Sequence, residues 1–282
     1  MSNDKPKTAV ITASYSGLGT ELCKLLAQDG YHLVLMNRDR LRTELQLHDL
    51  RQSFPGLAAV PIIADLSNHD AVREAAMKIA EQHPHIDRLF HNAGILQNRL
   101  AFSPQGNEIH FEVNTVAPVL LTHLLKPQLA ASGGAIVTVV GSSAMRMARQ
   151  LHPGKLRKPT TFKKFTPYAQ SKLAAAAAFI ALSEPFARDH ILLCIVDPGP
   201  NKTAMSESSG LPGWFKLFRP FFSSPAVGAK RIYEAAHDAA FDGQTGIYIE
   251  KGKVARPPHI ALNGKLQNEL LLQLREIAHI SA

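Results

Sequence analysis

The feature of this 282-residue chain that most limits its fold is an alternation of two periods. Short β-rich runs ("TAVIT", "HLVLM", "AVPIIA", "IDRLFHN", "AIVTVV", "ILLCIV" and "GIYI") are separated by longer segments. Those segments, among them Glu21 to Asp29, Asp70 to His83 and Ala169 to Phe186, carry alanine and leucine at helical spacing. Strands that alternate with helices need crossover connections, so the pattern predicts an α/β protein with a doubly wound parallel sheet covered on both faces. No linker rich in Pro, Gly or Ser and no fixed-period repeat divides the chain, which predicts one domain over residues 1–282. Two stretches break the rhythm and are long enough to be functional: a basic insertion over residues 145–167 and an aromatic segment, "GLPGWFKLFRPFFSSP", within residues 203–225.

Composition narrows the class. A 45% hydrophobic and 19% charged chain is an ordinary globular protein, without room for long disordered tracts. It contains no run of about 18 apolar residues, and the start "MSNDKPK" lacks the apolar core of a secretion signal. An intracellular, cytoplasmic protein is the expectation. Cys23 and Cys194 lie in apolar segments, as buried free thiols do. The 13 histidines include no HExxH pattern, and CxxC is absent, so no metal site is expected. The formal charge of +8 fits nucleic acid, an anionic membrane or an anionic small molecule, and does not choose among them.

The first strand runs into "TASYSGLG", Thr12 to Gly19, followed by a helix. Strand, glycine turn, helix is the context of a dinucleotide phosphate cradle, with Ala13 standing where such fingerprints carry glycine. Gly17 lets backbone approach a pyrophosphate, Gly19 lets helix and strand pack closely, and the helix N-terminus offers amide donors. Thr12, Ser14, Ser16 and Leu18 complete the candidate cradle. Alone, the stretch reads equally as a plain glycine turn. The second strand ends "LMNRDR", where NAD-binding folds place an acidic residue. Arg38, beside Asn37, instead offers a guanidinium to a 2′-phosphate, which predicts NADP over NAD; a solvated arginine opening the next helix is the alternative. Asp65 and Leu66 close the third strand, Asp65 as an acceptor for the adenine amino group or as an ordinary helix cap.

"YAQSK" places Tyr168 and Lys172 on one helical face, where an ammonium would favour the phenolate. Together, "TASYSGLG", "HNAG", "VNTVAP", "VVGSSA", "YAQSK" and "DPGPNKT" resemble the short-chain dehydrogenase/reductase family across most of the chain. The resemblance implies a Rossmann-type fold, a nicotinamide cofactor and a Ser-Tyr-Lys centre supported by an asparagine. By position, Tyr168 is then the general acid or base, Lys172 holds the nicotinamide ribose and depresses the phenol's pKa, and Asn114 anchors a water that relays protons to Lys172. Asn92, Ala93 and Gly94 flank the cofactor, with His91 in place of a largely structural asparagine. Pro198 and Gly199 close over the nicotinamide, and Thr203 reaches its carboxamide or a phosphate. "VVGSSA" can be registered with Ser142 or Ser143 as the catalytic serine; Ser142 is chosen because it leaves Ala144 at the family's small position.

The spacing from Ser142 to Tyr168 and the tail "TGIYIEKGK" resemble the retinol-dehydrogenase-like branch, without the hydrophobic N-terminal anchor of its membrane members. The resemblance implies hydride transfer to or from a small apolar carbonyl or alcohol, in a homo-oligomer. Trp214, Phe215, Phe218, Phe221 and Phe222 would form a substrate lid, with peripheral membrane contact as a rival use. The insertion's Arg146, Arg149, Lys155, Arg157, Lys158, Lys163 and Lys164 would attract an anionic group. Two other classes compete: a catalytically silent NADP sensor or scaffold, and a basic nucleic-acid binder, for which Phe162 and Phe165 are thin support, so no nucleic acid is expected.

Overall fold

The computed structural model describes residues 6–202 and 222–280. Its eight strands, β1 (Thr8–Thr12), β2 (His32–Asn37), β3 (Ala59–Ile63), β4 (Arg88–His91), β5 (Ala135–Val140), β6 (Ile191–Asp197), β7 (Ile247–Glu250) and β8 (Lys253–Ala255), form one sheet. Their order is β3-β2-β1-β4-β5-β6-β7-β8, parallel except for the last pair. All seven predicted runs are strands. Pro61, which cannot donate to a ladder on both sides, sits on edge strand β3. Unforeseen was β8, three residues turned back by Lys251 and Gly252, both at positive φ.

Helices cover both faces. Alternate strand residues point to opposite sides: Val10, Val34, Leu89, Val137 and Leu193 into one core, Ile11, Leu33, Leu35, Phe90 and Val196 into the other. The second core is closed by α1 (Gly17–Gln28), with α2 (Arg40–Ser53) at its margin, and the first by α3 (His69–Gln82). A composite helix follows β4: α4 (Ile109–Phe111), a π-turn (Glu112–Val116) and α5 (Ala117–Leu124), extended by α6 (Lys126–Ala130). After β5 come a 3₁₀ turn (Ser143–Met147), the short α7 (Pro153–Leu156) and the long α8 (Thr166–Ala187). The chain closes with α9 (Pro225–Glu234) before β7 and α10 (Gly264–Ala278) after β8, the latter packed on α8. Helices α1, α3 and α8 begin four, one and three residues before the predicted segments; Ser16 and Asn68 accept the first free N–H groups of α1 and α3, as Asp39 does for α2.

The sheet reverses its winding between β1 and β4, where the strand ends leave a crevice. The turn opening α1 stands at that point. Ala13 adopts φ +51°, donating its N–H to the Met36 carbonyl (2.9 Å) and accepting from the Ser16 N–H (3.0 Å). A left-handed alanine is strained by ~1–2 kcal/mol, against which glycine's greater chain entropy returns part. Ala13→Gly should therefore stabilise the fold by about 0.5–1 kcal/mol and raise Tm by roughly 1–3 °C. A calorimetric scan with Tm unchanged or lowered refutes the strain.

Candidate active site

The strand ends wall a cavity of about 800 Å³, within the size range of cofactor and ligand sites. On the β1 side, Tyr15, Ser16, Gly17 and Leu18 line it; Asn37 and Arg38 follow β2, Asp65 and Leu66 follow β3, and Asn92, Ala93 and Gly94 follow β4. Thr12, Ser14 and Gly19, expected to touch a cofactor, lie buried behind that wall. Ser14 is consumed by a closed network: its hydroxyl donates to Gln46 and accepts from the Asn37 amide, both at 2.7 Å. Thr12 staples β1 to β4, donating to Phe90 O and accepting from the Ala93 N–H. The Asn92 amide donates to Thr12 O, Ala13 O and Ser16 Oγ at 3.0–3.1 Å. These bonds hold the turn so that the N-terminus of α1 opens on the cavity. Gly19 is needed because a Cβ there would stand 2.5 Å from Ala13 O and 2.6 Å from Ser14 O.

Several groups fit a dinucleotide. The Asn37 and Asn92 amide oxygens are buried and have no protein partner, as expected of acceptors that await a ligand's donors. Arg38 is exposed at the rim, and the Arg42 guanidinium lies 4.2 Å from the centre of the Tyr15 ring. Asp39, the carboxylate beside Arg38, caps α2 by accepting the Arg42 N–H at 3.0 Å. Asp65 is no helix cap: it accepts its own Ser67 N–H, and Asn68 caps α3.

At the far wall, α8 presents Tyr168 and Lys172 to the cavity together. The Lys172 ammonium donates to Val140 O at 2.8 Å. Burial pulls its pKa down to about 8, against the opposing charge of Asp197. Burial pushes the Tyr168 phenol up to about 12, opposed by the hydroxyl of Ser142. The expected lowering of that phenol by Lys172 is therefore not what the geometry yields; desolvation dominates. Of the two candidate serines, Ser142 is the one beside Tyr168, whereas Ser143 faces Asp197. Pro198 and Gly199 line the cavity, and Thr203 lies outside the described residues, as does the proposed lid up to Phe221. Phe222 is buried and lines the cavity.

Asn114 is buried. Its side chain accepts from the Ile95 N–H (2.9 Å) and donates to Ile95 O and Ser171 Oγ. These bonds brace α8 against the loop after β4. It sits in the π-turn, where the Ala117 N–H reaches back to Glu112 O. Buried acid–histidine pairs frame that turn: Glu112 with His69 (2.8 Å) and Glu108 with His110 (2.6 Å). Glu112 also accepts from Ser103 and Asn107. His91 is buried, hydrogen-bonded to Thr122 and held down at about 3 by burial, a structural residue as expected. Two cations of the insertion have protein partners: exposed Arg146 pairs with Glu250 (2.6 Å), and half-buried Arg157 donates to Gln105 O. Cys23 and Cys194 are free and buried.

A family model described as short chain dehydrogenase matches residues 7–211. The chain belongs to the short-chain dehydrogenase family. Among its relatives is Dehydrogenase/reductase SDR family member 13 of Bos taurus, 30% identical over 96% of this chain and 73% of that protein. The human Polyprenol dehydrogenase is 26% identical (94% and 82% covered), and the human Retinol dehydrogenase 14 is 27% identical (86% and 77%). The relatives include retinol dehydrogenases, as the tail and spacing implied. In fold, the chain is similar to L-sorbose reductase of Gluconobacter frateurii, solved with NADPH and L-sorbose (TM-score 0.69, 20% identity, 87% and 95% covered). It is also similar to the 3-ketoacyl-(acyl-carrier-protein) reductase of Brucella melitensis, solved with NADH (TM-score 0.68, 21% identity, 86% and 96% covered). This short-chain dehydrogenase is accordingly a nicotinamide-dependent oxidoreductase of alcohol or carbonyl groups. Among the described residues no helix is long and apolar enough to cross a membrane.

The close approach at Gly19 gives a direct test of the cradle. Gly19→Ala forces a backbone shift and should destabilise by about 1–3 kcal/mol, read as a lower denaturation midpoint. An unchanged midpoint would show that the helix and the β1 turn are less tightly packed than described.

Proposed function

We propose that the protein is an NADP-dependent carbonyl reductase or alcohol dehydrogenase for small apolar substrates, with Tyr168 as general acid/base. The observation that carries this reading is the shared exposure of Tyr168, Lys172 and Ser142 to one cavity that also holds the α1 N-terminus. Bound nicotinamide supplies or accepts the hydride. Tyr168, with a phenol raised to about 12, is protonated at neutral pH and is poised to give its hydroxyl proton to a substrate oxygen. Ser142 orients that oxygen, and Lys172 binds the cofactor's ribose with its ammonium. Asn114 keeps α8 in register with the loop after β4.

Two features support NADP. The rim carries Arg38 and Arg42 without a free carboxylate beside them, because Asp39 is bound to the α2 N-terminus. A 2′-phosphate is therefore met by two guanidinium groups, one stiffened on Tyr15. An apolar substrate is supported by Ile95, Leu96, Ile109, Val113, Met147 and Phe165, which line the same cavity, and by relatives named for polyprenol and retinol. A cytoplasmic setting, a homo-oligomer and contact with a membrane surface belong to the same reading as expectations.

Oxidation of NADPH across a panel of apolar aldehydes and ketones tests the activity. Tyr168→Phe should lower kcat/KM by about 10²–10⁴-fold while NADPH binding, followed by cofactor fluorescence, is kept. Full turnover in that variant contradicts the proposed acid. Replacing Arg38 and Arg42 together by alanine should weaken NADP binding at least tenfold, since each charge-assisted bond contributes about 1.5–3 kcal/mol, and leave NAD binding nearly unchanged. Tighter binding of NAD than NADP by the unaltered protein refutes the cofactor assignment. Lys172 loses its proton as pH rises through about 8, so reductive turnover should fall across that range.

A further inference from the structure

Asp197 ends β6 inside the cavity wall, 2% exposed, and has no role in the reading above. Its Oδ1 accepts the Gly199 N–H at 2.8 Å, and its Oδ2 stands 3.4 Å from the hydroxyl of buried Tyr248 on β7. Ser143, at the start of the turn after β5, faces the same carboxylate with its N–H and hydroxyl. One carboxylate thus ties together the loop after β6, the turn after β5 and strand β7.

The charges around Asp197 can be placed element by element. On β7, Glu250 lies opposite it in the ladder but is taken by Arg146, whose guanidinium also lies over the Tyr248 ring. On α9, Arg231 donates to Pro198 O, and after β7 the Lys251 N–H donates to Asp197 O. On α8, Tyr168 and Lys172 face it. Lys172 is bonded to Val140 O, and Val140 pairs with Val196, the residue before Asp197. Among the described residues no cation lies within 4.0 Å of the Asp197 carboxylate. Burial pushes the Asp197 carboxyl up, while the Gly199 and Ser143 hydrogen bonds favour its ionised form; ionised, it favours the charge of the buried ammonium that lines the same cavity.

We propose that Asp197 is a positioning residue of the active centre: its carboxylate fixes Ser143 and the Pro198–Gly199 turn and supplies the negative charge that keeps Lys172 an ammonium. This rests on the roles given to Tyr168 and Lys172 above. The electrostatics run in the required direction, since Asp197 opposes the fall that burial imposes on Lys172 and adds to the rise of the Tyr168 phenol. Removing the charge eases loss of a proton from both groups, so both titrations move toward acid.

Asp197→Asn keeps the shape and an acceptor for the Gly199 N–H while deleting the charge. In lysine-labelled protein without cofactor, followed by carbon NMR and assigned with Lys172→Arg, the Lys172 midpoint near pH 8 should fall by about one unit. The alkaline limb of reductive turnover should move with it, and Asp197→Glu should restore both. A Lys172 midpoint in folded Asp197→Asn equal to that of the unaltered protein overturns the proposal. Should Asp197→Asn not fold, Asp197→Ser carries the same measurement; if neither uncharged variant folds, the carboxylate is structural and the proposal falls. Failure of the enzymatic reading looks different: the unaltered protein then oxidises no NADPH with any carbonyl, or Tyr168→Phe retains turnover, while the Lys172 titration still responds to Asp197.

Discussion

The close approach of α8 to the sheet is the constraint on which the site depends. Ala174 to Ala178 are all buried, and a run of methyl side chains lets the helix axis lie nearer the strands than leucines would. The approach brings the Lys172 ammonium within 2.8 Å of Val140 O on β5 and sets Tyr168 one turn earlier against the cavity. Alanine is also the best helix former, so one composition serves both the helix and its packing. A helix buried on all sides has no amphipathic stripe. Its polar residues are therefore informative: Tyr168, Ser171, Lys172 and Ser183 are buried, and the first three belong to the site or its bracing.

How much of this was readable in the chain follows from which forces are local. Strand and helix identity came from period and propensity, so all seven long runs were legible, while β8, three residues at a sheet edge, carries no such signal. Tyr168 and Lys172 were legible because helical spacing places them together. The register of "VVGSSA" favours Ser142, but what separates the two hydroxyls in the fold, the meeting of Ser143 with Asp197, is not local. Nor is the commitment of Asn114 to Ile95 and Ser171, which needs three segments placed in space. Asp197 stood in a motif already singled out, "DPGPNKT", but its neighbours come from β5, β7 and α8. Desolvation is likewise a property of the folded state, so the direction of the Tyr168 shift could not be taken from the nearness of a lysine alone.

The same distinction separates the two arginine populations. A formal charge of +8 reads from the sequence as a basic surface. In the fold, Arg51, Arg73, Arg88, Arg157 and Arg231 each donate to backbone carbonyls. Arg146 joins a carboxylate, a carbonyl and the Tyr248 ring in one contact. These guanidinium groups hold segments that are distant in the chain, and a charge spent in that way contributes little to attracting a partner. At the cavity rim the situation is different: Arg38 and Arg42 line the cavity, and the carboxylate of the adjacent Asp39 caps a helix. On the proposed reading, the basic character that bears on function is Arg38 after β2 with Arg42 in the first turn of α2, a pair suited to a small, doubly charged phosphate.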